Sequence, residues 1–153
     1  MNHTLKLLPA TAADISELYR LQLLAFESEA EMIGSRAVPA LMETAEHSRA
    51  DFPNWTVWKI LSPEGAIVAA IRCRRDGDMM EIGRLMVHPD YRRQGLAQRM
   101  LAEVDKAFPD IPKELYTCTK SWINIRLYEK TGFTPVKEVT EESGLTFVYM
   151  RKT

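Results

Sequence analysis

Between Met79 and Phe108 the chain reads MMEIGRLMVHPDYRRQGLAQRMLAEVDKAF. A strand-like apolar run ends at Val87-His88-Pro89, a tight basic loop follows at Arg92-Arg93-Gln94-Gly95, and a helical pattern opens at once. Leu96, Met100, Leu101, Val104 and Phe108 fall on one helix face, and Pro109 and Pro112 end it. A strand turned directly into a helix is the start of a crossover, which calls for an α/β sheet with neighbouring parallel strands. The same junction suits an anion. The first turn of a helix has backbone N–H groups without intrahelical partners and carries the positive end of the dipole. Gly95 has no side chain to block close approach, and Arg92 and Arg93 add charge. Taken alone, the segment is a phosphate cradle or a plain capped turn.

The flanking sequence fills in the rest of the sheet. Leu5 to Leu8 is a short apolar run closed by Pro9, and Thr11 with Asp14 marks a helix start before Ile15, Leu18, Tyr19, Leu23 and Phe26. From residue 27 to 54 the pattern weakens to one helix around Val38 to Ala45 and a loop ending at Pro53. Thr56 to Leu61, Ala66 to Cys73 and Met79 to His88 read as three consecutive strands. Turns at Ser62-Pro63-Glu64-Gly65 and Arg74-Arg75-Asp76-Gly77-Asp78 join them into an antiparallel meander. Beyond the central helix come a strand at Glu114 to Thr119, a helix at Trp122 to Thr131 capped by Gly132, and strands at Phe133 to Val139 and Leu145 to Met150. The expected fold is α/β, with a mixed, mostly antiparallel central sheet of about six to seven strands flanked by about four helices.

Composition narrows the function classes. At 153 residues the chain has the length of one domain, expected to span residues 1–153. Lys plus Arg is 20 against 21 Asp plus Glu, a net charge of −1 that disfavours a dedicated nucleic-acid partner. No stretch reaches the roughly 20 apolar residues of a membrane span, and no basic-then-apolar leader opens the chain, so a cytoplasmic, membrane-free protein is expected. Cys73 and Cys118 read as buried free thiols of a reducing compartment, and the N-x-[ST] triplets at Asn2 and Asn54 as chance matches. His3, His47 and His88 show no ligand spacing with cysteine, so no metal is expected. Neither a G-x-S-x-G elbow nor a G-x-x-x-x-G-K-[ST] loop is present.

Arg92-x-x-Gly95-x-Ala97 after an apolar strand resembles the [RQ]-x-x-G-x-[GA] acetyl-CoA motif of the GNAT acetyltransferase superfamily. A second segment, Asn124-Ile125-Arg126-Leu127-Tyr128-Glu129-Lys130-Thr131-Gly132-Phe133, resembles that family's N-x-x-x-Y-[EK]-[KR]-x-G-F helix-to-strand junction. The element order agrees along nearly the whole chain. The resemblance implies the acyl-CoA N-acyltransferase fold, with acetyl-CoA as co-substrate. It implies a bulged fourth strand splaying from the fifth, with Leu85, Met86 and Val87 pairing with the pantetheine arm. The amides of Arg93, Gln94, Gly95, Leu96, Ala97 and Gln98, with the Arg92 and Arg93 side chains, would hold the pyrophosphate. Asn124 would touch the cofactor arm, and Tyr128 would lie near the thioester sulfur. The two stand at i and i+4 and share a helix face.

The implied reaction is direct attack of an amine on the thioester through a tetrahedral intermediate. The amine must shed a proton, since a free alkyl amine has a pKa near ~10. A backbone N–H near Leu85 or Met86 serves the oxyanion, and Tyr128 serves the departing thiolate. Glu81 resembles the strand glutamate that acts as base in some family members. It reads also as a solvent-facing strand carboxylate or as a partner for Arg84, and a water relay with no single base is a further route. In an unbroken strand Glu81, Gly83, Leu85 and Val87 share a face, which a bulge would alter. His88 reads as a turn residue. Arg84 faces substrate or an acid, and Trp55 and Trp58 belong to core or acceptor pocket.

The acceptor is a small-molecule or peptide amine. Residues 27 to 51 hold Glu27, Glu29, Glu31, Glu43, Glu46 and Asp51 against Arg36 and Arg49. These are a negative rim attracting a cationic amine, or solvated helix faces. A non-catalytic acyl-CoA-binding regulator and a protein N-acetyltransferase are the alternative functions. The strands between Phe133 and Met150 offer an edge, and monomer and homodimer both stand.

Overall fold

The computed structural model describes residues 5–153, so the Asn2 triplet and His3 lie outside the described residues. The chain enters through β1 (Leu7–Pro9), a 3-10 turn at Ala12–Asp14, and α1 (Ile15–Ile33). The Thr11 N–H donates to Asp14 Oδ2 at 2.8 Å, so the capping pair read from the sequence does start the helix. α1 continues well past Phe26, because Ala30 and Ile33 extend its buried stripe and Glu27, Glu29 and Glu31 are good helix formers. Gly34 ends it at φ 74°, with its N–H on the Ala30 carbonyl.

The next stretch departs from expectation. In place of one helix over Val38 to Ala45 there are two, α2 (Pro39–Met42) and α3 (Ala45–Asp51), and most of the expected loop before Pro53 is helical. Thr44 Oγ1 accepts the His47 N–H at 3.0 Å and starts α3 afresh.

The meander follows as β2 (Thr56–Leu61), β3 (Ile67–Asp76) and β4 (Met79–Val87). β3 runs through Arg74 and Arg75, which the sequence reading had assigned to the turn. Asp76 pairs with Met79, so the turn shrinks to Gly77-Asp78, with Gly77 at φ 62°. Then come α4 (Leu96–Ala107), β5 (Lys113–Cys118), α5 (Trp122–Lys130), β6 (Thr134–Thr140) and β7 (Thr146–Lys152).

The seven strands lie in the order β1-β2-β3-β4-β5-β7-β6. Among the described residues only β4 and β5 are parallel neighbours; every other adjacent pair is antiparallel. The expectation of successive parallel neighbours after residue 79 therefore holds once and fails once, since β7 inserts between β5 and β6. The side chains explain the choice. β6 is exposed along its whole length and carries Pro135, which suits an edge, whereas β7 buries Phe147, Val148 and Met150 and takes the interior place.

α4 packs Leu96, Met100, Leu101 and Val104 against Ile60, Ile71, Ile82 and Leu115 of the sheet. Each such buried side chain contributes about 1.5–3 kcal/mol. α1 covers the opposite face, where Leu18 and Leu21 meet Ile67, Ala70 and Met86. Trp58 is core, and Cys73 and Cys118 are buried free thiols.

Candidate active site

β4 and β5 pair only at Met80–Lys113 and Glu81–Glu114 and then part. The cause is local. Across β3, Ala70 pairs with Met86 but Arg72 pairs with Gly83, so Ile71 faces two residues of β4, Arg84 and Leu85. Arg84 is the extra residue and sits at φ 45°, a left-handed conformation that costs a non-glycine residue roughly 1–2 kcal/mol. A bulge bends the strand and raises its twist. It also switches which side chains face which helix. Met80 and Ile82 face the α4 core before the bulge, Leu85 and Val87 after it, while Met86 joins the core under α1. The relation expected for an unbroken strand, Glu81 with Leu85 and Val87, is thus undone.

The basic loop closes one end of the opening. His88 Nδ1 accepts the Asp90 N–H at 3.0 Å and shapes a 3-10 turn at Pro89–Tyr91, in keeping with its reading as a turn residue. Arg93 (φ 63°) and Gly95 (φ 76°) both take left-handed conformations. Gly95 is the N-cap of α4, and its carbonyl accepts the Arg99 N–H. The amides of Leu96, Ala97 and Gln98 therefore precede the first intrahelical bond and face outward as anion donors. Arg92 is otherwise engaged. Its guanidinium donates to Ser28 Oγ at 2.9 Å and to the Ala25 carbonyl at 3.2 Å, clamping the loop to α1.

Two cavities meet inside the splay. A groove of about 660 Å³ takes in every residue expected to hold the cofactor except Gln94. A narrower pocket of about 90 Å³ lies beyond it, among Trp55, Arg72, Glu81, Gly83 and Arg84. Phe26, Glu29, Leu85, Asn124 and Tyr128 line both and form the throat between them.

Glu29 is the residue that the sequence reading missed as a site residue. In the sequence it is one of six acids on a rim, and it lies beyond Phe26, the last position that the helical spacing picks out. Its Oε1 accepts from Asn124 Nδ2 at 2.6 Å and Ser121 Oγ at 2.9 Å, with Thr117 Oγ1 at 3.5 Å. Burial raises its pKa above the ordinary 4.5, outweighing these three donors. Tyr128 is buried, and its pKa is raised, first by burial and then by the charge of Glu29, so its hydroxyl stays protonated. A carboxylate that binds protons more readily than usual and a phenol that keeps its own thus flank one passage.

Glu81 lines the narrow pocket, with Oε1 3.0 Å from Arg74 Nε across the hairpin. Arg84 faces the same pocket, as does Trp55, whose ring centroid lies 3.9 and 4.1 Å from the Arg72 and Arg74 guanidinium carbons. The acids of the expected rim are largely taken up internally. Glu27 pairs with Arg36. Glu43 accepts from Gln22 and meets His47, while Asp51 accepts from Asn54 and Trp55. Among the described residues, no helix is long and apolar enough to cross a membrane.

Residues 42–153 match the family model described as Acetyltransferase (GNAT) domain. UPF0157 protein YqkA of Bacillus subtilis (strain 168) is 28% identical over 130 residues, which cover 84% of this chain. The matched region is 37% of that relative's length. Among solved structures, the PaiA N-acetyltransferase of Thermoplasma acidophilum in complex with coenzyme A superposes with a TM-score of 0.75 at 15% identity, covering 97% of this chain and 98% of that one. The ribosomal-protein-S18-alanine N-acetyltransferase of Escherichia coli gives 0.77 at 16%, covering 97% and 92%. A GNAT-family acetyltransferase of Staphylococcus aureus Mu50 gives 0.76 at 16%, covering 97% and 98%. At these identities the likeness is one of fold.

Proposed function

The chain belongs to the GNAT acetyltransferase domain family, and from that premise we propose that it moves the acetyl group of acetyl-CoA to the primary amine of a small molecule or peptide. One observation carries this reading: a long groove and a short pocket join at a throat lined by Glu29, Asn124 and Tyr128. A donor and an acceptor entering from opposite sides would bring their reacting atoms together there, and much of the rate would follow from that positioning.

The residues present fit the donor. The outward amides of Leu96, Ala97 and Gln98, with Arg93 beside them, suit a pyrophosphate. The β4 edge at Leu85–Val87 has left β5 and offers backbone partners to an extended amide arm. An N–H of that edge suits the carbonyl oxygen as it gains charge.

In the reaction the amine nitrogen bonds to the acetyl carbon and the carbon–sulfur bond breaks. The proton leaving nitrogen passes to Glu29 and from there to the departing sulfur, so that coenzyme A leaves as the thiol and Glu29 returns to its carboxylate form. Glu29 is the proposed base, in place of Glu81, because its raised pKa suits proton acceptance and Glu81 is already engaged by Arg74. Tyr128 supports the departing sulfur as a hydrogen-bond donor. Its raised pKa lies further above a thiol's ordinary value of about 8.5, so full proton transfer from the phenol is uphill.

The test is calorimetric titration with coenzyme A, followed by thiol release from acetyl-CoA across a panel of amines. Binding together with amine-dependent thiol release supports the proposal. Binding without release from any amine points to an acyl-CoA-sensing module, and no binding overturns both readings.

A further inference from the structure

The narrow pocket has two electrically different ends. Glu29 lines it at the throat and is shared with the donor groove. Arg72 and Arg84 line it and a small adjoining cavity by Trp55 and Met86, but not the groove. Running inward from the groove, the order is carboxylate first, guanidinium pair last.

The two guanidinium groups are anchored from behind and incompletely used. Arg84 Nη2 is 3.4 Å from Glu43 Oε1, and Arg72 Nη1 is 3.5 Å from Asp51 Oδ2. Both acids have closer partners. Gln22 Nε2 reaches Glu43 at 2.9 Å, His47 Nδ1 lies 2.6 Å from it, and Trp55 Nε1 reaches Asp51 at 2.9 Å. The side chains of Arg72 and Arg84 are only 17% and 16% exposed, and the Nε of each is buried without a hydrogen-bond partner. A guanidinium carries five N–H donors in a fork suited to a carboxylate. Two like charges held together out of water need anions beside them, and Glu43 and Asp51 supply these at long range while leaving guanidinium donors to spare. Burial, and then Arg84, push the pKa of Arg72 down to about 10.

Resting on the acetyltransferase reading, we infer that the acceptor is a small amino carboxylate, its carboxylate held by Arg72 and Arg84 and its amine directed to Glu29 at the throat. The strained bulge has a role in this arrangement, since Arg84 is the extra residue of β4. Glu81 on the same strand is taken up by Arg74, so it does not compete for the spare donors of Arg72 and Arg84. A carboxylate acceptor reverses the charge preference that the acidic stretch between residues 27 and 51 suggests on paper.

The experiment titrates the coenzyme A complex with matched amines: L-alanine and L-alaninamide, β-alanine and β-alaninamide, aminomethylphosphonate, and putrescine. The carboxylates are expected to bind at least about tenfold tighter than their amides. That preference should fall to about twofold or less in Arg84→Asn, a residue that tolerates the left-handed position, and in Arg72→Met. Coenzyme A affinity and thermal midpoint identify variants that remain folded, and each substitution answers for the other if one unfolds. Amides that bind as well as acids, tighter binding of putrescine or the phosphonate, no binding by any carboxylate, or a carboxylate preference that survives both substitutions would each overturn the assignment. Thiol release is read on the same amines. Its failure with coenzyme A bound strikes the acetyltransferase reading, whereas transfer favouring uncharged or cationic amines strikes only the acceptor assignment.

Discussion

Asn124 Nδ2 donates to Glu29 Oε1 at 2.6 Å, joining residues 95 apart in sequence. The bond orients the Asn124 amide and ties α5, which carries Tyr128, to α1. Ser121 at the start of α5 donates to the same oxygen. Among the described residues these donors converge on Oε1, which leaves Oε2 to take a proton.

Glu29→Gln keeps an acceptor oxygen for Ser121 and Asn124 but removes the basic group. Turnover at neutral pH should fall by about a hundredfold or more. Wild-type kcat/KM should rise with pH through a value above 4.5, and that limb should vanish in the variant. Coenzyme A affinity, read by calorimetry, should change little. An unaltered pH profile would assign the base elsewhere.

The same variant has a stability signature. The folded state raises the pKa of Glu29, so it favours the neutral acid. The resulting contribution is fully present below about pH 4.5, the ordinary value, and is lost as pH rises through the raised folded value. The urea midpoint of Glu29→Gln should therefore improve relative to wild type as pH climbs across that window. A difference that does not vary with pH would show the carboxylate to be solvated.

Tyr128→Phe removes one hydroxyl and keeps the ring, including its edge contact with Phe133 at 6.0 Å. A hydrogen bond to a charged partner is worth about 1.5–3 kcal/mol, so kcat should drop roughly 10- to 100-fold while KM for acetyl-CoA stays nearly constant. Steady-state kinetics decide it, and full activity would remove Tyr128 from the mechanism.

Gly95→Val places a β-branched residue at φ 76° beside the outward amides. Backbone strain of roughly 1–2 kcal/mol adds to the steric block, and coenzyme A should bind at least about tenfold more weakly. Gly95→Asn, which accepts that conformation, should lose much less. Equal affinities for Val, Asn and wild type would place the pyrophosphate elsewhere.

Most strands, the Thr11–Asp14 start, the Gly95 junction and the Gly132 stop were legible because each depends on neighbours in the chain. Strand alternation, helix spacing and turn residues act over a few positions. The groove-lining residues of that junction were legible for the same reason, since they come from one loop and the helix turn that follows it. Glu29 was not legible. Its helix runs through an acid-rich stretch that looks solvated, and its significance depends on Ser121 and Asn124 approaching from another helix. The place of β7 was hidden too, because strand order is settled by which strand can fill an interior slot.

By itself the sequence determined the local parts: where strands alternate, where helices start, and which basic loop leads into a helix N-terminus. The tertiary structure alone decided that Arg84 would be the bulged residue, that Arg72 and Arg84 would share one pocket, and that Glu29 would lose enough water to bind a proton more readily. Desolvation and the meeting of like charges depend on distances through space, and those exist only once the sheet has twisted and its helices have closed over it.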